Sequence, residues 1–243
     1  MIPKIVHFVF GLDENFGGKP FNLIHKIAIK SAIDIIKPNK VFLYNKYEPN
    51  SLYWEEIKSL VEIVKINPPS EIFGRPIEHC AHKTDVIRLT KLIETGGIYL
   101  DVDTICLNSF DNLLDNKFVM GKQDEWGLCN AIMLSEKNSE FAKIWYDEYV
   151  TFDKNLWDYH PVVLPGLLAK KYTDLITVLK TESFFQPNPA STDLIFNGYI
   201  DKSNDYAMHL WECMCWDTYI KNINEDWIRN SNSTYATYAK KYL

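Results

Sequence analysis

Gly96-Gly97-Ile98-Tyr99-Leu100-Asp101-Val102-Asp103-Thr104 is the stretch on which the fold turns. Two glycines stop a helix-period segment, and an alternating apolar run follows. Side chains alternate faces along a strand, so a strand over 97–103 sends Ile98, Leu100 and Val102 into a core. Tyr99, Asp101 and Asp103 then share the opposite face, the two carboxylates about 7 Å apart at the usual rise per residue. Two like charges on one face at the end of a buried strand are unfavourable unless something positive sits there. A divalent cation bound to phosphate oxygens answers that need, and hard oxygen ligands suit Mg²⁺ or Mn²⁺. A bare D-x-D also occurs as an ordinary acidic strand-to-loop transition, because Asp favours turns.

Working upstream, residues 79–95 carry Val86, Leu89 and Ile93 at helical spacing, with Gly96 placed to cap the end. Asp85 and Arg88 lie three apart on the polar face of that helix. They can form a surface ion pair, or bind sugar hydroxyls with Asp accepting and Arg donating. Residues 4–10 form a first strand stopped by Gly11. Leu23, Ile24, Ile27, Ser31 and Ile35 then recur at helical spacing until Pro38. A second strand spans 41–44, Ser51 caps a helix running to about Leu60, and a third strand spans 63–66.

Downstream, 118–120, 131–134 and 206–210 have strand character and 139–152 helix character. The alternation predicts an α/β fold, a mostly parallel sheet flanked by helices. Ligands of such sheets lie beyond the carboxyl ends of the strands, here at Phe10-Gly11 and Asp101–Asp103.

The 243 residues suit one continuous domain over 1–243, and 47% hydrophobic with 14% aromatic composition excludes a disordered chain. No apolar run approaches the roughly 20 residues that cross a bilayer. The N-terminus lacks the basic region and cleavage site of a signal peptide, which points to a cytoplasmic protein. Twenty-six Lys and Arg against 32 Asp and Glu, a net charge of −6, argue against nucleic acid as a partner. The five cysteines are odd in number and form no C-x-x-C, so reduced thiols are expected. His79-Cys80-Ala81-His82 looks metal-like but has no paired cluster.

Other acidic motifs fare worse. A calcium loop from Asp101 would need Gly at 106 and Glu at 112, where the chain has Cys106 and Asn112. A haloacid-dehalogenase-type phosphatase would use Asp101 as nucleophile and Asp103 as acid, but Ile105 departs from its pattern. A phosphate loop at Gly18-Lys19 fails, since Pro20 stands where Ser or Thr is required. A non-catalytic sugar- or metal-binding module is the remaining alternative.

His82-Lys83-Thr84-Asp85-Val86-Ile87-Arg88, followed by Gly96 to Asp103, resembles the signature of DXD-containing glycosyltransferases of the family-32 type. Its relatives include initiating mannosyltransferases, capsular polysaccharide transferases and, distantly, the glucosylating clostridial toxins. The resemblance spans residues 2–134. It implies the GT-A fold, a nucleotide-sugar donor (UDP- or GDP-hexose), Mn²⁺ or Mg²⁺, a glycan acceptor, and retention at the anomeric carbon. It divides the domain into a donor half to about residue 104 and an acceptor half beyond. By position it makes Asp101, Asp103 and Arg88 catalytic, and Asp101, Asp103 and His209 metal ligands. The donor-binding set becomes Phe8, Val9, Phe10, Asp85, Arg88, Tyr99, Asp101 and Asn130. Phe10 stands where the family often has a base-stacking Trp; a phenyl ring offers less area and no N–H. Trp126, Trp145, Trp157, Trp211 and Trp216 are candidate platforms for acceptor sugars.

Overall fold

A computed structural model describes residues 1–125 and 127–243. Its strands are β1 (Ile5–Val9), β2 (Lys40–Asn45), β3 (Glu62–Lys65), the short pair β4 (Glu71–Ile72) and β5 (Arg75–Pro76), β6 (Gly97–Leu100), β7 (Thr104–Cys106), β8 (Phe118–Lys122), β9 (Leu128–Ser135), β10 (Thr177–Leu179) and β11 (Ala207–His209). Helices α1 (Leu23–Ile36), α2 (Leu52–Glu55), α3 (Cys80–Thr95), α4 (Glu140–Asp147) and α5 (Leu164–Lys171) are followed by shorter ones towards the C-terminus. The central sheet has the order β10-β8-β9-β6-β1-β2-β3. All its neighbours are parallel except β9, which runs antiparallel to both β6 and β8. The expected α/β architecture is present, with both halves of the chain contributing to one sheet.

Alternation along the strands sorts side chains into two cores. Val6 and Phe8 of β1, Leu43 of β2, and Ile98 and Leu100 of β6 join α1 and the C-terminal helices in the first. Tyr44, Tyr99 and Met133 point the other way, into a second core with Val86, Leu89 and Leu92 of α3 and Phe141 and Trp145 of α4. The double glycine permits the sheet to close. Gly97 has φ +116°, and a Cβ there would lie 2.5 Å from the Ile5 carbonyl oxygen, a conformation and an approach open only to glycine.

Several boundaries differ from expectation, among them the strand expected over 131–134, which begins at Leu128 and so contains Asn130. The helix capped by Ser51 ends at Glu55 and tightens into a 3₁₀ turn at Lys58–Leu60. Trp54 and Ile57, three apart, both enter the core, and 3₁₀ spacing keeps such a pair in line. The expected 139–152 helix likewise becomes α4 and then a 3₁₀ turn over Glu148–Thr151. The strand expected over 97–103 stops at Leu100, with consequences described below. All five cysteines are free thiols. Among the described residues, no helix is long and apolar enough to cross a membrane.

His7, on the second-core face of β1, is fully buried and stacks on Phe42 and Tyr44; Nε2 donates to the Gly96 carbonyl at 2.9 Å and Nδ1 accepts from the Tyr44 hydroxyl at 3.0 Å. Burial pulls the His7 imidazole down to about 4. Between that value and the roughly 6.5 of an unfolded His, the unfolded chain binds the extra proton, so stability rises with pH across this window. We expect acidification from pH 6.5 to 4 to remove up to about 3 kcal/mol through this group. Denaturant melts across that range should be steeper for the native chain than for His7→Gln; equal slopes would refute the assignment.

Candidate active site

The Asp101–Asp103 segment is a turn rather than strand. The Asp101 N–H donates to the Ala131 carbonyl at 2.8 Å, and the Thr104 N–H returns to the Asp101 carbonyl at 3.1 Å. The two carboxylates therefore meet because the chain bends, not because they alternate along a ladder. Val102 still enters the first core, as expected. The bend feeds β7, which pairs antiparallel with β11 so that His209 lies opposite Thr104.

That pairing carries His209 across more than a hundred residues to the acidic turn. Its Nε2 lies 3.1 Å from Asp103 Oδ1 and 4.0 Å from Asp101 Oδ2. One ligand atom from each of Asp101, Asp103 and His209 falls within 4.8 Å of the others. The second oxygen of Asp103 accepts the Glu212 backbone N–H at 2.7 Å. Burial alone would push the Asp103 carboxyl up; His209 and the Glu212 N–H outweigh it and hold the group at about 2.

Arg88, almost fully buried, organises the other side. Its Nη1 donates to the Asn130 carbonyl at 2.8 Å and to Asn130 Oδ1 at 3.0 Å. Its Nη2 pairs with Asp101 at 3.2 Å and with Asp85 at 3.7 Å. The guanidinium also lies 4.6 Å above the Tyr99 ring, whose hydroxyl donates to Asp101 at 2.7 Å. Asn130 Nδ2 donates to Asp85 Oδ1 at 2.8 Å. Burial raises both the Asp85 and the Asp101 carboxyls, against the pull of Arg88, and Asp103 adds to the rise at Asp101. Three carboxylates thus face one guanidinium and an imidazole. The surplus negative charge and the O,O,N donor set fit a divalent cation. Such a cation would be held by Asp101, Asp103 and His209.

The structure brings Asp85, Arg88, Tyr99, Asp101, Asp103, Asn130 and His209 into one connected cluster. It does not bring the Phe8 side chain there, which is fully buried in the first core; Val9 packs in the second core and lines a small pocket with Phe10, Phe16 and Thr84. Phe10 is half-buried at the end of β1. Its ring stacks on Phe16 at 5.5 Å and packs against Phe21 and His25. Phe16 was not legible in the sequence, since nothing local marks it: it opens the short 3₁₀ turn Phe16–Gly18 at φ +55°, followed by two positive-φ glycines. His25 and Glu212 were missed for the same reason: nothing local marks them.

The metal-like His79-Cys80-Ala81-His82 stretch is instead a helix start, His79 Nδ1 accepting the Ala81 N–H as N-cap. Arg88 reaches both oxygens of Asp101, Nη1 at 3.5 Å and Nη2 at 3.2 Å. Of the tryptophan candidates, Trp145 and Trp211 are buried and donate to the carbonyls of His160 and Pro187. Trp216 is half-buried, and Trp157, 56% exposed, lies against His79 and His82 at the start of α3. Trp126 lies outside the described residues.

Residues 25–119 match the profile of the glycosyltransferase sugar-binding region containing the DXD motif. Over its whole length the chain is 31% identical to Glucan organizing enzyme 1 of Cryptococcus neoformans var. grubii, spanning 71% of that protein. Over 53% of its length it is 25% identical to lactosylceramide 4-alpha-galactosyltransferase of Gorilla gorilla gorilla, spanning 44% of it. Among solved structures, the glycosyltransferase GlyE of Streptococcus pneumoniae TIGR4 superposes with a TM-score of 0.54 at 14% identity, over 99% of this chain and 63% of that one. This last likeness is one of fold.

Proposed function

Because the chain belongs to the glycosyltransferases whose sugar-binding region carries a DXD motif, we propose that it transfers a hexose from a nucleoside-diphosphate sugar to a glycan hydroxyl. The observation that carries this reading is the meeting of Asp101, Asp103 and His209 beside the Arg88–Asp85–Asn130 network. Bound by the first three residues, Mn²⁺ or Mg²⁺ would supply Lewis-acid neutralisation of the diphosphate leaving group.

The chain's own groups do the rest. Phe10, backed by Phe16, offers its ring to the nucleobase. Asp85 accepts from hydroxyls of the transferred sugar, and Arg88 holds Asp85, Asp101 and Asn130 in one geometry before the donor arrives. Fixing these dipoles in advance saves reorganisation as charge develops. Residues to about 104 form the donor half and the remainder the acceptor side. The exposed indole of Trp157 is the platform for the acceptor, which we take to be a polysaccharide in keeping with the glucan in the name of the fungal relative. With an α-linked nucleotide sugar as donor, an α product linkage such as the one in the name of the gorilla relative corresponds to retention of anomeric configuration.

The test is a panel of UDP- and GDP-hexoses incubated with the purified chain and MnCl₂, with released nucleotide measured. One donor should be hydrolysed slowly, and EDTA should stop the release; undiminished release in EDTA would reject the metal-dependent reading. Oligosaccharide acceptors added to the same assay should accelerate release less in Trp157→Ala than in the native chain. Equal acceleration would remove Trp157 from the acceptor site.

A further inference from the structure

His25 stands in the first turn of α1, fully buried and far in sequence from the acidic turn. The Asn22 side chain accepts the Ile24 N–H at 3.0 Å, while His25 Nδ1 accepts the Asn22 N–H at 3.1 Å. This is a capping box in which an imidazole takes the place usual for Glu or Gln. Because Nδ1 is used as an acceptor, the ring proton resides on Nε2. Nε2 donates to Glu212 Oε1 at 2.9 Å, a bond that joins residues 187 apart.

Glu212 is the first residue of the helix Glu212–Cys215, and its backbone N–H is the one that meets Asp103 at 2.7 Å. Aiming that N–H requires Trp211 in the left-handed region, at φ +58° and ψ +46°, a conformation disfavoured for a bulky side chain. The turn is held at two points: Trp211 Nε1 donates to the Pro187 carbonyl at 2.9 Å, and Glu212 is anchored by His25. The His25 ring meanwhile packs against Phe10 at 5.0 Å and Phe21 at 5.1 Å between centroids. It therefore touches the proposed nucleobase wall on one side and the support of an acidic ligand on the other.

We propose that His25 and Glu212 are positioning residues that tie the Phe10 wall to Asp103, so that nucleotide and divalent cation bind cooperatively. The inference rests on the reading that Asp101, Asp103 and His209 hold that cation. Without the anchor, the Trp211 turn relaxes, Asp103 Oδ2 loses its donor, and the carboxylate is free to rotate away. Outer partners that orient ligands in this way typically govern affinity by roughly 10–100-fold. Linkage requires that UDP and Mn²⁺ each tighten the other by the same factor, and loss of the anchor reduces that factor.

The experiment titrates Mn²⁺ against the whole chain by electron paramagnetic resonance, with and without UDP, and records melting temperature in parallel. Glu212→Ala should weaken Mn²⁺ binding by roughly 10-fold or more and shrink the UDP-dependent tightening. Glu212→Gln, which keeps an acceptor for His25, should restore both. His25→Phe keeps the ring against Phe10 but removes the hydrogen bonds, and should reproduce the Glu212→Ala loss by an independent route. Lower melting temperatures with unchanged Mn²⁺ affinity and unchanged coupling in these variants would reduce the pair to a structural role and overturn the inference. A native chain that binds no Mn²⁺ in either condition would instead overturn the metal site itself.

Discussion

Asp103→Asn should lower Mn²⁺-dependent nucleotide release by on the order of 10³-fold while leaving the fold intact. The physical basis is the difference between charge and shape at this position. The carboxylate accepts from the Glu212 N–H and pairs with His209, and its proton affinity is depressed to about 2. It is therefore ionised at any working pH. Asparagine keeps the volume and one acceptor oxygen for Glu212, so the turn and the β7–β11 pairing survive. What disappears is the full negative charge that would hold a cation against the diphosphate. Nucleotide release and a thermal melt on the same sample check the two halves of the expectation. Activity within ten-fold of native would remove Asp103 from the metal site.

Arg88→Ala should have the larger effect on stability. The guanidinium is almost fully buried between Asp101, Asp85 and Asn130 and stacks on Tyr99. Removing one partner from a buried charge network leaves the others uncompensated, at a cost of about 3–5 kcal/mol. For a domain of this size that corresponds to roughly 10 °C in melting temperature. Arg88→Lys retains the charge and should recover much of that loss. It cannot reproduce the planar fork that reaches Asn130 and Asp101 together, so donor binding should remain impaired. Scanning fluorimetry and donor KM measured on both variants separate the two effects. A melting temperature for Arg88→Ala within 2 °C of native would mean that the cluster is solvated and the network does not support the fold.

Much of this arrangement was legible locally. The alternation of Ile98, Tyr99 and Leu100 assigned opposite faces, and the two cores receive them accordingly. Helix α3 spans Cys80–Thr95 against the expected 79–95, and Gly96 ends it as its position implied. Asp85 and Arg88 share a face because they are three apart on one helix, a relation set by backbone periodicity alone. The Asp101–Asp103 pair was found for an incomplete reason: strand alternation was expected to join the two carboxylates, and a turn does so.

The residues that sequence reading passed over are those whose partners lie far along the chain. Phe16 carries no pattern of its own; its significance comes from meeting Phe10 face to face. His25 is one apolar-face position among several on α1, and Glu212 is one acidic residue in a polar segment. Their joint role exists only because a bond spans the two ends of the protein.

Strand and helix identity, the acidic pair and the Asp85–Arg88 pair follow from short-range geometry, which the order of side chains fixes directly. The antiparallel insertion of β9, the delivery of His209 by β11, and the backbone donor of Glu212 follow from which distant segments find each other during folding. Packing energy summed over the two cores makes that choice, and no window of neighbouring residues contains it.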